Sequence, residues 1–342
     1  MPPLQKYFEQ FHQAIRLGSY DENETLREKR EILLNDLKTG LPQLFEDPKT
    51  APRYKAVNLG SYALNVGVKP LDGNYDIDIG IIFEIAPEDY PDPREVKKWV
   101  RDALLRHNRE VSWRSPCITV FYAAGYHVDL SVMAGGASGT LHPRALARGK
   151  EHSAEENRGW EDAEPEKLVK LIRNAHSGED AAQFRRVIRA LKRWKQHSFS
   201  LRGNDAPPSV SIVLSAYKWF SPVKSCLDPV QFTYQYDDCS ALQRLVSNML
   251  SQSETSLDGR LKITLPVQPG DDVLRRMTTK QMEGFIDKLK SLKDSLSRAS
   301  SAEDTESALK ILRKEFGDDF PAEPVESKTF SSPGYVGSTQ GA

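Results

Sequence analysis

One short run, Tyr75-Asp76-Ile77-Asp78-Ile79-Gly80-Ile81-Ile82-Phe83, constrains the fold of this chain more than any other. Its density of β-branched and aromatic residues predicts a strand. Side chains alternate along a strand, so Ile77, Ile79, Ile81 and Phe83 share one face while Asp76 and Asp78 share the other. Two carboxylates on one face repel each other and lose hydration when partly buried. A hard cation offsets that cost, because Mg²⁺ takes oxygen ligands and is commonly held by one or two carboxylates together with substrate phosphates. By itself the pair has a plainer alternative: a turn aspartate at 76 and a solvated edge aspartate at 78.

Two further features narrow the choice. In Tyr126-His127-Val128-Asp129-Leu130-Ser131-Val132-Met133-Ala134, the apolar residues Val128, Leu130 and Val132 face one way and Asp129 and Ser131 the other. A third strand carboxylate beside the first pair completes a site for two metal ions, which serve phosphoryl transfer when about 4 Å apart. Alone, Asp129 also reads as a solvent-facing strand residue. Upstream, Gly60-Ser61 suits a turn into a helix start, where backbone N–H groups bind phosphate and the Ser61 hydroxyl can add to them. Alone, Gly-Ser is an ordinary turn with a cap; ahead of an Asp-x-Asp strand it carries more information.

The bulk properties exclude several classes. The 342 residues carry a formal net charge of −1, so no global basic field draws in long nucleic acid, and any polyanion site must be a local patch. Cys117, Cys226 and Cys239 are scattered without zinc-ligand spacing, which fits a reducing cytoplasm better than a disulfide scaffold. The start, MPPLQKYFEQ, lacks the apolar segment of a signal peptide, and no apolar run is long enough to span a membrane. A cytoplasmic protein with no membrane partner is expected. The seven histidines form no convincing constellation.

Along the chain, Leu4, Phe8, Phe11 and Ile15 form a helical stripe, and Leu26, Leu33 and Leu37 continue it loosely until Gly40-Leu41-Pro42. A mixed strand and helix section follows to the small-residue loop AGGASGT. From about residue 165 the pattern is helical. Phe184, Val187, Ile188, Leu191 and Trp194 form one stripe, and SVSIVLSAYKWF reads as a buried helix. Arg185, Arg189, Lys192 and Gln196 fall at helical spacing on one polar, largely basic face, where an ammonium suits a triphosphate. Lys192 also reads as a solvated surface lysine. Ser209 sits where a helix begins, another N–H-rich position. Trp194 and Trp219 read as core, and Tyr217 as packed in preference to stacked on a base.

With these residues in view, the sequence resembles the nucleotidyltransferases of the polymerase-β-like superfamily, whose signature matches Gly60-Ser61, Asp76-x-Asp78 and Asp129. The stretch GSYALNVGVKPLDGNYDIDIGI is particularly similar to the bacterial cGAS/DncV-like nucleotidyltransferases of CBASS anti-phage systems. ALKRWKQH followed by PPSVSIVLSAYKWF resembles the helix pair of the oligoadenylate synthetases and their bacterial relatives. The resemblance implies an α+β fold: a polymerase-β-like core with a mixed sheet and an oligoadenylate-synthetase-like helical half, two lobes around a cleft. The expected division is 1–160 for the nucleotidyltransferase lobe with the N-terminal helices, 161–320 for a nucleotide-clamping helical lobe and 321–342 for a flexible tail.

The same resemblance implies a synthase that joins NTPs, ATP or GTP among them, into a cyclic di- or trinucleotide messenger read by a downstream effector. Asp76, Asp78 and Asp129 would hold two Mg²⁺ ions, for which Mn²⁺ can substitute. Gly60, Ser61, Lys192 and Ser209 would clamp the triphosphate. Animal relatives carry a zinc-binding insertion and basic DNA-binding surfaces; this chain has neither a Cys/His cluster nor a basic balance, so activation by double-stranded DNA is not expected. The small-residue end GSTQGA suits conjugation through Ala342 by an E1/E2-like partner, the plain alternative being a floppy end. The rival readings are a linear nucleotidyltransferase acting on RNA or protein and an inactive scaffold of the same fold.

Overall fold

The computed structural model describes residues 3–17, 20–107, 109–122, 125–135, 144–201, 203–228, 230–231 and 233–322. In chain order the elements begin with α1 (Gln5–Ile15), α2 (Tyr20–Gly40), β1 (Tyr54–Asn58), α3 (Gly60–Leu64), β2 (Tyr75–Phe83) and α4 (Arg94–Leu104). Then come β3 (Glu110–Trp113), β4 (Ile118–Tyr122), β5 (Tyr126–Ala134), β6 (Ala145–Arg148) and β7 (Gly159–Asp162). The remainder is α5 (Pro165–Arg173), α6 (Gly178–Ser198), α7 (Ser209–Trp219), the hairpin β8 (Lys224–Asp228) and β9 (Thr233–Tyr236), α8 (Asp238–Glu254), α9 (Thr279–Ser300) and α10 (Thr305–Phe316).

The sheet is mixed, as the α+β expectation requires. Its order is β1-β2-β5-β4-β3, with β6 joining β5 to β7. β2 and β5 run parallel, and every other pair in this sheet is antiparallel. The parallel register sets Asp78 beside Asp129 and Asp76 beside His127. Alternation does the rest: Ile77, Ile79, Ile81 and Phe83 are buried with Val128, Leu130 and Val132 against the apolar faces of α2 and α4. The opposite face of β2 and β5 carries the aspartates near the start of the strands and a small buried cluster of Leu59, Ile82 and Met133 farther along.

A second core joins α5 to α10, and α1 packs in it. Tyr7, Phe8, Phe11 and Ile15 of α1 are buried with the helical half. Phe11 lies 5.1 Å from Phe316 and 4.9 Å from Phe320 between ring centroids. α2 instead packs with the sheet through Leu26, Leu33 and Leu37. The stripe of α1 specifies a buried face without specifying its partner, and here the aromatic residues around the end of α10 supply it. Residues 323–342, with Ala342, lie outside the described residues.

Candidate active site

Strand β2 carries Asp76 and Asp78, and β5 carries Asp129 next to them. One carboxylate oxygen from each can be chosen so that all lie within 4.8 Å of one another. Burial, with the neighbouring Asp76 and Asp129 carboxylates, pushes Asp78 up to about 7. Burial and the Asp129 charge also push Asp76 above its ordinary value, though its side chain is 48% exposed. Both shifts have the same origin: three carboxylates are held where water and counter-charge only partly compensate them. This is the acidic oxygen set that a hard divalent cation fits, because a cation would remove the repulsion that raises these groups.

The sequence reading missed the residues that orient the cluster. Thr119 of β4 is fully buried, pairs with Asp129 in register, and donates its hydroxyl to Asp129 Oδ1 at 2.5 Å. Arg114 Nη1 stands 4.0 Å from Asp129 Oδ2. His127, two residues before Asp129 on the same face, brings Nε2 to 3.4 Å from Asp76 Oδ1. Same-face alternation in β5 pointed to His127, and the hydroxyl in CITVFYA pointed to Thr119; neither signal alone specifies a partner.

Gly60 opens α3, and its role is steric as well as conformational. Its φ is +57°, and a Cβ built there would overlap Asp78 Oδ2. The turn is anchored where Leu59 N donates to Asp78 O at 2.9 Å. Leu59 supplies no capping side chain, so the leading N–H groups of α3 have no intrahelical acceptor and no cap. Asn65 ends the helix in the left-handed region, φ 55°.

The helical half closes the site from the other side. Lys192 of α6, 7% exposed, donates from Nζ to Ser61 Oγ at 2.6 Å and to Val66 O at 3.1 Å. Its ammonium is lowered to about 8, by burial first and then by Lys195, against the opposing pull of Asp78. The reading of Lys192 as a solvated surface lysine does not hold. Lys195, not anticipated from the sequence, is also lowered to about 8 by burial and donates to Ser209 Oγ at 2.9 Å. Ser209 is the first residue of α7, after Pro208.

Gly60, Ser61, Asp76, Asp78, Lys192 and Ser209 line one cleft of about 410 Å³, with Asp129 clustered against its two aspartates and Lys195 bonded to its Ser209. Gly60, Ser61, Asp76 and Asp78 form one wall, Lys192, Gln196 and Ser209 another, and Leu168, Val169 and Ile172 of α5 give an apolar third. The basic face of α6 does not all reach it. Arg185 and Arg189 open into a separate cavity. A helix rises about 1.5 Å per residue, so Arg185 lies roughly 10 Å along the axis from Lys192 and beyond the cleft's edge. Trp194 is fully buried, and Tyr217 and Trp219 pack against the helical core. Among the described residues, no helix is long and apolar enough to cross a membrane.

Residues 55–133 match the family model of the cyclic GMP-AMP synthase DncV-like nucleotidyltransferase domain. The fold of the whole chain is similar to the CD-NTase CdnG of Bradyrhizobium diazoefficiens, solved in complex with GTP, at TM-score 0.70 and 16% identity over 92% of this chain and 95% of that one. It is similar to CdnC of E. coli MS115-1, solved with ATP, at TM-score 0.65 and 20% identity over 93% and 99% of the two chains. It is also similar to the cyclic AMP-GMP synthase DncV of Vibrio cholerae, solved with the linear intermediate 5′ pppA(3′,5′)pG, at TM-score 0.61 and 15% identity over 93% and 87%.

Proposed function

We propose that this chain, whose residues 55–133 match the DncV-like nucleotidyltransferase domain model and whose fold is similar to bacterial CD-NTases, is a cyclic oligonucleotide synthase. It joins NTPs, ATP or GTP among them, and releases pyrophosphate. The observation that carries the reading is that Asp76 and Asp78, clustered with Asp129, face Lys192, Ser61 and Ser209 across one cleft, with Lys195 bonded to Ser209 beside it.

Asp76, Asp78 and Asp129 are the residues that would hold Mg²⁺. When bound, such ions supply charge neutralisation to a triphosphate and Lewis acidity to the reacting oxygens. The protein's own groups do the positioning. Gly60 lets the α3 turn approach Asp78, and Ser61, held by Lys192, lies where a phosphate oxygen can take over the ammonium's hydrogen bond. Lys195 and Ser209 form the second phosphate contact at the start of α7. The apolar wall of Leu168, Val169 and Ile172 excludes water and receives a base. Thr119 fixes one oxygen of Asp129, which leaves Oδ2 to accept the proton of an acceptor ribose hydroxyl. That hydroxyl oxygen then bonds to the α-phosphorus as its bond to pyrophosphate breaks. Positioning and charge complementarity dominate such a reaction.

The neighbours' bound GTP, ATP and linear dinucleotide support a nucleotide substrate and a stepwise reaction. Release of the product as a messenger in anti-phage signalling belongs to the same proposal. The binding test uses a non-hydrolysable ATP or GTP analogue. Affinity should rise at least tenfold on adding Mg²⁺, and Asp76→Asn/Asp78→Asn should abolish that rise. Equal affinity with and without Mg²⁺ in the unaltered protein would refute the assignment of the triad.

A further inference from the structure

A second cavity, of about 340 Å³, lies between α1 and α6 and shares no residue with the carboxylate cluster. Its walls include Glu9, His12, Arg16, Arg185, Arg186 and Arg189. Arg186 is already neutralised: its Nε and Nη2 donate to the Asp238 carboxylate at 2.6 and 3.0 Å. Arg16, Arg185 and Arg189 make no ion pair among the described residues. Arg189 is 3% exposed; it donates from Nη2 to Asn65 O, and its Nη1 lies 3.4 Å from His12 Nδ1. The Nε atoms of Arg189 and Arg16 are buried and have no hydrogen-bond partner among the described residues. The acid at the rim, Glu9, is exposed and accepts a hydrogen bond from Gln5.

Burial, then the neighbouring Arg16, Arg185 and Arg186, push Arg189 down to about 9. Burial, then the same arginines led by Arg189, push His12 down to about 3, so His12 is neutral and adds no positive charge at neutral pH. Uncompensated buried charge is costly, and an anion would supply what this cavity lacks. Guanidinium forks match phosphate oxygens in bidentate pairs, and three of them converge here on a space that fits a di- or triphosphate group.

We propose that the cavity between α1 and α6 is a binding site for a small phosphate-bearing anion, gripped by Arg16, Arg185 and Arg189 and distinct from the carboxylate cleft. It lies directly behind α3, because Arg189 holds the carbonyl of Asn65, the residue that ends that helix.

The test is calorimetric titration of the full chain in EDTA, with pyrophosphate in one arm and ATP in the other. Pyrophosphate binding should be at least tenfold weaker in Arg16→Gln/Arg185→Gln and little changed in Lys195→Ala, which removes a phosphate contact of the carboxylate cleft instead. Without ligand, the arginine variant should melt at or above the unaltered protein, since it loses like-charge repulsion. Arg185→Lys, which keeps the charge and loses the fork, should weaken binding several-fold and guards against a folding failure of the double variant. Tighter ATP than pyrophosphate at this site would identify a nucleotide as the phosphate source; equal affinities would identify the bare phosphate group. Undiminished binding by Arg16→Gln/Arg185→Gln, or no binding by the unaltered protein at millimolar pyrophosphate, would overturn the proposal.

Discussion

Asp78 is held at a point where three constraints meet: the pleat of β2, the Asp129 register across to β5, and the Cβ-free approach of Gly60. Its carboxyl is raised to about 7 by burial and its acidic neighbours, above the ordinary value of 3.8. The folded state therefore binds more protons there than the unfolded chain does. The resulting stability is present below the unfolded value and is lost as pH rises through about 7. In EDTA, Asp78→Asn should therefore stabilise the protein at pH 8, by about 1–2 kcal/mol after allowing for coupling and screening. The gain should shrink toward pH 5, and thermal melts at the two pH values check it. Saturating Mg²⁺ should reverse the ranking at pH 8, because only the unaltered protein then gains a ligand. Gly60→Ala should cost at least a hundredfold in turnover, since the new methyl group displaces Asp78 Oδ2. Steady-state kinetics on a variant shown to fold would report it, and full activity would show that the α3 turn does not set the position of Asp78.

At the scale of elements, the long periodic segments were legible and the short ones were not. β2 and β5 announce both their faces through alternation, α6 through its apolar stripe and α7 through its apolar run. β3, β6 and β7 are four residues each, too short to show a period. The β8–β9 hairpin is mostly exposed on both faces, so it has no buried pattern to read. Where a motif coincides with an element its residues come together: Gly60, Ser61, Asp76, Asp78, Lys192 and Ser209 line one cleft, and Asp129 clusters with its two aspartates. Thr119, His127 and Lys195 were not legible, because each depends on which neighbour the fold brings to it. Lys97 is another such residue. Fully buried on α4, it donates to the carbonyls of Arg114, Ser115 and Gly149 at 2.6, 2.9 and 2.8 Å. It thereby ties α4 to the segment carrying Arg114, beside Asp129. Lys97→Met leaves Arg114 O without a donor among the described residues, while Gly149 O keeps Trp113 Nε1–H and Ser115 O keeps Gly149 N–H, and should cost about 2 kcal/mol. Urea unfolding measures this, and a loss under 1 kcal/mol would mean water replaces the ammonium there.

Among the described residues the molecule has two large cores and a small third cluster of Leu59, Ile82 and Met133, with α1 crossing from the N-terminal end of the chain into the helical core. The apolar stripe of α1 does not name its partner, so its packing with the helical core is not legible in the linear pattern. Phe11→Ala should cost about 3–4 kcal/mol through the cavity it leaves beside Phe316 and Phe320. In hydrogen exchange the loss of protection should concentrate in α6 and α10, leaving β2 and β5 protected. The central claim is that this two-core architecture builds and then closes an oligonucleotide. The most direct test incubates the protein with all four NTPs and Mg²⁺ or Mn²⁺, treats the products with phosphatase and identifies the survivors by mass spectrometry. A phosphatase-resistant cyclic product from the unaltered protein, absent with Asp76→Asn/Asp78→Asn, is the predicted result. Pyrophosphate release with only phosphatase-sensitive products would contradict it and establish linear transfer instead.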